Sequence, residues 1–102
     1  MELVWSEPAL VDLEALRRWL GRDSQPLADR TTDRIFDAVE RALTFPRIGR
    51  TVAEVGDESV REFLFRSFRI VYLAAGERVA VLAILHGGRA AERRERRRWE
   101  IY

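Results

Sequence analysis

Phe68-Arg69-Ile70-Val71-Tyr72-Leu73, the turn at Ala75-Gly76-Glu77, and Arg78-Val79-Ala80-Val81-Leu82-Ala83-Ile84-Leu85 together decide how this chain folds. Both runs are rich in the β-branched and aromatic side chains that suit a pleated, half-buried surface. A short turn containing glycine joins them, as in a hairpin. Upstream, Val60 to Arg66 reads as a further strand through Phe63, Leu64 and Phe65. Only Ser67 separates it from Phe68, so a second tight hairpin is implied. The expectation is a three-stranded meander in which Val71, Leu73, Val79, Val81 and Ile84 demand at least one covered face.

The cover lies nearer the N-terminus. Ser6-Glu7-Pro8 is a helix start: the serine hydroxyl can cap free N–H groups, and proline in the first turn loses no hydrogen bond. Leu10, Leu13, Leu16 and Leu20 then recur at helical spacing, with Trp19 beside them and Gly21 as a stop. Arg17, Arg18 and Arg22 fall where the helix dipole favours cations. Ser24-Gln25-Pro26 repeats the start signal. A second helix follows from about Pro26 to Leu43, with Ala28, Ile35, Val39 and Ala42 as its apolar stripe, widened by Phe36 and Leu43. Its outer face mixes Asp29, Asp33, Asp37 and Glu40 with Arg30, Arg34 and Arg41. So short a connection makes the helices an antiparallel hairpin that shields the meander. Leu3-Val4-Trp5 is a short extended run that should add a strand, and Trp5 and Trp19 read as core residues. Pro46 ends the second helix, Gly49 permits a turn, and residues 51–59 read as a loop with a turn at Gly56-Asp57. His86-Gly87-Gly88-Arg89 breaks the last strand. Ala90 to Trp99 is a charged segment with helical potential, followed by Ile101 and Tyr102. The expected fold is α+β, in the order β-α-α-β-β-β, as a single domain over residues 1–102 with 90–102 as its charged C-terminal segment.

Composition narrows the chemistry. A chain of 102 residues, 47% of them hydrophobic, has material for one core. No cysteine is present, which excludes disulfides, thiolate metal sites and cysteine nucleophiles and fits a cytoplasmic protein. The first residues carry no secretory signal pattern, and no apolar run reaches the ~20 residues needed to span a bilayer. A single histidine makes a metal site improbable on composition, and no glycine-rich phosphate loop or nucleophile triad stands out; no cofactor is expected. The net charge of +1 hides an asymmetry: residues 1–60 carry 8 Arg against 12 Asp and Glu, and residues 61–102 carry 10 Arg against 5 Glu. The second part is a candidate face for an acidic partner. All 18 basic residues are arginine, a usage that codon bias also produces.

Four stretches, in order and at their spacing, carry a family resemblance: Val4-Trp5-Ser6 leading into the first helix; Phe45-Pro46-Arg47-Ile48-Gly49-Arg50; Val60-Arg61-Glu62 followed by Phe68-Arg69-Ile70-Val71-Tyr72; and Ile84-Leu85-His86-Gly87-Gly88-Arg89. Over residues 3 to 89 the chain resembles the RelE/ParE toxin superfamily, and its ParE branch more closely. The resemblance implies an antitoxin partner that wraps a segment across the toxin. It also implies either DNA gyrase as target, as for ParE-like members, or mRNA cut on the ribosome, as for RelE-like members. A fold shared by both does not choose between them.

RNA cleavage by the 2′-oxygen needs a base, an acid and positive charge on the phosphate. Arg61, Arg69 and Arg89 are candidate phosphate binders, His86 a candidate acid or base, and Tyr72 and Tyr102 candidate proton donors. Against this, lysine is absent, and His86 is followed by glycine instead of completing the terminal pair of the nuclease branch. The leading expectation is therefore a non-enzymatic, gyrase-binding toxin neutralised by an acidic, amphipathic antitoxin segment. Arg61, Arg66, Arg69, His86 and Arg89 are the candidate target- or antitoxin-binding residues. The alternatives are a ribosome-dependent endoribonuclease using Arg61, Arg69, His86 and Arg89, and an inactive member that only binds its antitoxin and regulates transcription. Each candidate also has a plain structural reading: an ion pair for Arg61, a hydrogen bond for His86, and a solvated helix for the arginine run Arg93 to Arg98.

Overall fold

The computed structural model describes residues 2–65 and 67–86. Strand β1 (Glu2–Trp5) leads into helices α1 (Glu7–Gly21) and α2 (Gln25–Thr44), then strands β2 (Arg50–Thr51), β3 (Val60–Phe65), β4 (Phe68–Ala75) and β5 (Arg78–His86). The strands form one sheet in the order β1-β5-β4-β3-β2. β1 runs parallel to β5, and the other neighbours are antiparallel. The expected α+β arrangement is thus present, with the leading strand docked on the meander. One strand was not foreseen: Arg50–Thr51, within and just before the expected loop, pairs with Glu62 and Arg61.

Both helices start where serine and proline placed them. Ser6 Oγ accepts the Ala9 N–H at 3.2 Å, and Ser24 Oγ accepts the Leu27 N–H at 3.2 Å. The turn between β4 and β5 depends on Gly76, whose φ of 61° lies in the left-handed region that side chains disfavour.

The helices cover one face of the sheet. Ala9, Leu13 and Leu16 of α1 and Ile35 and Val39 of α2 pack with Phe68, Ile70, Val81 and Ile84. Ala42 extends this layer to Tyr72 and Val79. Here the expected stripe of α1 needs correction. Ala9 is fully buried, whereas Leu10 is 51% exposed. The inward face therefore runs through positions 9, 13, 16 and 20, with Leu20 half-buried against the core. Trp19 is likewise no core residue at 51% exposure, though Trp5 packs edge-on against Phe36 at 5.4 Å. On α2 the expected stripe holds, joined by buried Thr31 and Thr32; the Thr32 hydroxyl donates to the Ala28 carbonyl at 2.8 Å. Such local bonding removes the cost of burying a hydroxyl.

The rotation of α1 is set by polar contacts with β5. β1 covers β5 only from Arg78 to Val81. Beyond that point α1 takes over the open edge. The Ser6 N–H donates to the Val81 carbonyl at 3.0 Å, the Ser6 hydroxyl donates to the Leu82 carbonyl at 3.2 Å, and Asp12 Oδ2 accepts the Ile84 N–H at 3.0 Å. A bulge lies at this junction: Tyr72 pairs with Val81 and Val71 with Ala83, leaving Leu82 as the extra residue.

The opposite face carries a second cluster of Val52, Val60, Val71, Leu82, Ala83 and Leu85. The expected helix at 90–99 and the apolar end at Trp99, Ile101 and Tyr102 lie outside the described residues.

Replacing Asp12 by Ala strands the Ile84 N–H at the strand edge. The expected loss is about 1–3 kcal/mol of unfolding free energy, read from urea denaturation. Val39→Ala, in the fully buried stripe, should cost about 1–3 kcal/mol by lost burial and the cavity left behind.

Candidate functional site

The arginines proposed from sequence divide between the two faces of the sheet, because residues directly opposite across a strand pair share a face. Arg69 sits on the face away from the helices, in register with Leu64 and Leu85. Its Nε donates to Glu62 at 2.7 Å, and its NH2 donates to Glu54 at 3.1 Å. Glu62 is only 3% exposed, and its second oxygen accepts from Arg50 Nε at 2.8 Å. A carboxylate this deeply buried requires such partners, since an uncompensated buried charge is strongly destabilising. Arg69 is therefore a counter-ion of the fold and not an open phosphate-binding group.

Arg61 lies on the helix side, opposite Tyr72. Its guanidinium donates to three backbone carbonyls: Glu58 at 3.0 Å, Arg47 at 3.3 Å and Gly49 at 2.9 Å. Tyr72 works with it. The fully buried phenol oxygen accepts the Gly49 N–H at 2.9 Å and donates to the Pro46 carbonyl at 2.9 Å. Burial pushes its pKa above the ordinary 10.0, against smaller opposing effects of the Gly49 N–H and the Arg61 charge. The hydroxyl proton is committed to a carbonyl, so Tyr72 is not placed as a catalytic proton donor. Gly49 is needed here for space: a Cβ at this position would lie 2.7 Å from the Tyr72 hydroxyl and 2.8 Å from the Glu62 carbonyl.

His86 closes β5 in register with Phe68 and is exposed. Its ring packs against Phe68 at 5.0 Å and Trp19 at 5.4 Å, and Nε2 lies 3.1 Å from Ser67 Oγ. Tyr72, beside Arg61, and Phe68, beside His86, are about 13 Å apart along β4. Arg69 is on the reverse face. The sheet thus separates Arg61, Arg69 and His86 and does not assemble them around a common point. Arg66 and Arg89 lie outside the described residues. No group of three metal-ligating side chains occurs among the described residues, and no helix there is long and apolar enough to cross a membrane.

Open cationic surface occurs elsewhere. A shallow cavity of about 710 Å³ is lined by Leu10, Leu13, Glu14, Arg17, Arg18, Gly21, Arg22 and Gln25, along the outer side of α1 and the start of α2. Arg17 reaches Asp29 at 3.4 Å. The side chains of Arg18 and Arg22 make no ion pair or hydrogen bond with any of the described residues. Their number is visible in the sequence, but there they read only as complements of the helix dipole. The signal that they flank a groove was the misassigned Leu10.

Comparison with known proteins now bears on this geometry. A family profile described as "ParE toxin of type II toxin-antitoxin system, parDE" matches residues 3–91. The chain belongs to the ParE toxin family. A solved structure described as "Chromosomal ParDE TA system from P. aeruginosa" matches with a TM-score of 0.68 and 22% identity, over 86% of this chain and 97% of that one. At that identity the likeness concerns the fold: two helices packed on a five-stranded, mostly antiparallel sheet. No curated protein sequence matches. For a ParE-family chain, the Phe45-to-Arg50 and Phe68-to-Tyr72 stretches now have a physical role. They meet at Tyr72, Gly49 and Arg61, whose hydrogen bonds hold the 46–49 segment to the sheet.

Tyr72→Phe removes both hydroxyl bonds while keeping the ring. The expected cost is about 1–3 kcal/mol at neutral pH. The raised phenol pKa contributes stability that is fully present below about 10 and is lost as pH rises through the folded-state value. Stability above pH ~10 should therefore fall more steeply for the wild type than for Tyr72→Phe, as measured by chemical denaturation across that range.

Proposed function

We propose that this ParE-family toxin acts by binding DNA gyrase without chemistry of its own, in a bacterial cytoplasm, and that a cognate antitoxin neutralises it by covering its binding surface. One observation carries the reading: among the described residues, three of the groups named for RNA cleavage serve the fold instead. Arg69 neutralises Glu62 and Glu54, Arg61 holds backbone carbonyls, and Tyr72 gives its proton to Pro46. A general acid–base mechanism needs its groups within hydrogen-bond reach of one reacting centre. Binding a macromolecule needs only a complementary surface, and this chain retains exposed apolar and cationic side chains for one. Family membership supports the antitoxin partner, since ParE toxins belong to type II toxin–antitoxin systems.

The test is a supercoiling assay with purified toxin and gyrase. Inhibition should rise with toxin concentration and be relieved by equimolar antitoxin. Full supercoiling at high toxin excess would remove gyrase as the target. Primer extension on translated mRNA supplies the opposing measurement: discrete cuts that disappear in Arg61→Ala or His86→Ala would replace the binding reading with the ribonuclease one.

A further inference from the structure

We propose that the loop Phe45-Pro46-Arg47-Ile48, between α2 and β2, is the surface by which this toxin engages its protein target. Phe45 and Ile48 enter an apolar pocket of that protein, and Arg47 meets a carboxylate at the pocket's rim. This inference rests on the reading above that the chain acts by binding gyrase, and it adds the toxin residues that make the contact.

The side chains of this loop contrast with its backbone. Phe45 is 61% exposed, more than any other large apolar side chain on the described surface, and Ile48 is 48% exposed. Neither belongs to a core cluster. Arg47 between them is exposed, and its side chain forms no ion pair or hydrogen bond with any described residue. A free arginine is not distinctive by itself, since Arg34 and Arg41 on α2 share that state. The backbone beneath is what sets the loop apart. The Tyr72 hydroxyl accepts the Gly49 N–H and donates to the Pro46 carbonyl, both at 2.9 Å. The Arg61 guanidinium donates to the Arg47 carbonyl at 3.3 Å and to the Gly49 carbonyl at 2.9 Å. The Ile48 N–H donates to the Phe45 carbonyl at 3.0 Å, and the Phe45 N–H donates to the Arg41 carbonyl at 2.8 Å. Every residue from Phe45 to Gly49 therefore has a backbone group tied down.

Surface connections are usually mobile and polar. The other exposed large apolar side chains, Leu10, Val11, Trp19, Phe36 and Leu64, stand on helices or strands that the core already positions. Only at 45–48, among the described residues, are such side chains carried by an irregular segment that buried and half-buried side chains hold still. Fixing a loop in the free protein removes an ordering cost that binding would otherwise meet. An aromatic ring and an arginine are also the groups that dominate binding energy at protein interfaces.

The form of the feature defines the occupant. A segment that folds onto the toxin needs pockets on the toxin's own surface. Exposed side chains on a pinned loop need the reverse, a folded partner that supplies the pocket. Charge argues for protein over nucleic acid. The hollow of about 320 Å³ beside the loop is lined by Pro46, Arg47, Asp57, Glu58, Ser59 and Arg61. Its two carboxylates repel phosphate, and Phe45 and Ile48 offer phosphate nothing. Asp57 accepts from the Ser59 N–H at 2.9 Å and from its hydroxyl at 2.7 Å, leaving Arg47 to find its counter-ion on the partner.

The experiment compares full-length toxin variants by two readouts, half-inhibition of gyrase supercoiling and growth arrest on induction without antitoxin. The loop variants are Phe45→Ser with Ile48→Ser, and Arg47→Ala. The controls are Leu64→Ser, an exposed apolar side chain on β3, and Arg34→Ala, a free cation on α2. All the altered side chains are exposed, and circular dichroism verifies the fold. Both loop variants should need about tenfold or more toxin for the same inhibition and should lose growth arrest, with the controls close to the wild type. Antitoxin can cover the loop while drawing its affinity elsewhere, so antitoxin affinity by calorimetry should fall less than inhibition does. Wild-type potency in both loop variants overturns the proposal. So does an equal loss in the controls, an antitoxin affinity that falls as far as inhibition, or a wild type that arrests no growth. A wild type that arrests growth yet leaves gyrase active sinks the gyrase assignment alone, and growth arrest then decides the loop.

Discussion

The structure depends on the satisfaction of one strand. β5 is flanked by β4 along its whole length, but β1 is only four residues long and reaches no further than Val81. The remaining edge would leave buried backbone groups without partners, at a cost comparable to several lost hydrogen bonds. Ser6 and Asp12 resolve this by bonding to Val81, Leu82 and Ile84. Ser6 thus caps α1 and fastens it to the sheet with the same side chain. Once Ser6 and Asp12 are fixed, the rotation of α1 follows: Ala9, Leu13 and Leu16 turn inward, and Leu10, Arg18 and Trp19 turn outward. Hydrophobic burial makes the helix dock, but hydrogen bonds to one strand edge decide which face it presents.

A second fastening lies at the other side of the sheet. Tyr72 and Arg61 hold the segment from Pro46 to Gly49, and Glu62 draws Arg50 and Arg69 together from separate strands. Buried charge of this kind contributes little net stability beyond what a hydrophobic replacement would give, but it penalises any pairing that separates the partners. Arg50 pairs opposite Glu62 on β2, so the ion pair and the strand register specify each other. These residues sit within the stretches by which the family is recognised. Their role in register explains how such a pattern identifies a fold without identifying a target.

The elements were legible in the sequence because their signals are local. Ser-x-Pro starts, a glycine turn at 76 and alternating β-branched runs each act within a few residues. That the leading run adds a strand was legible; its parallel pairing with β5, made with residues 76 positions away, was not. The two-residue β2 was not legible, since its pairing is created by Glu62 and Arg61, twelve and ten positions from their partners. The phase of α1 was missed for a similar reason. A leucine ladder at 10, 13, 16 and 20 and a mixed ladder at 9, 13, 16 and 20 differ by one residue, and the choice is made by contacts to β5. The candidate site was the least legible part. Whether an arginine is a ligand or a counter-ion depends on which carboxylate the fold brings beside it. Glu62 and Glu54 are brought to Arg69 by pairing that composition does not reveal.

Charge bookkeeping by segment illustrates the same point in reverse. The C-terminal part of the chain carries the positive excess, and it also supplies the arginines most fully consumed by the fold among the described residues. The N-terminal part is acidic in sum, yet Arg18 and Arg22, at the C-terminal end of α1, form no ion pair with any described residue. Net charge averages over neighbours in sequence, whereas a binding partner meets neighbours in space. For a small α+β domain with few exposed apolar side chains, the informative quantity is therefore the cation left unneutralised beside an apolar surface. Among the described residues such combinations include Leu10 with Arg18 and Arg22 along α1, and Phe45 and Ile48 around Arg47, and the first is presented by a helix whose rotation β5 sets.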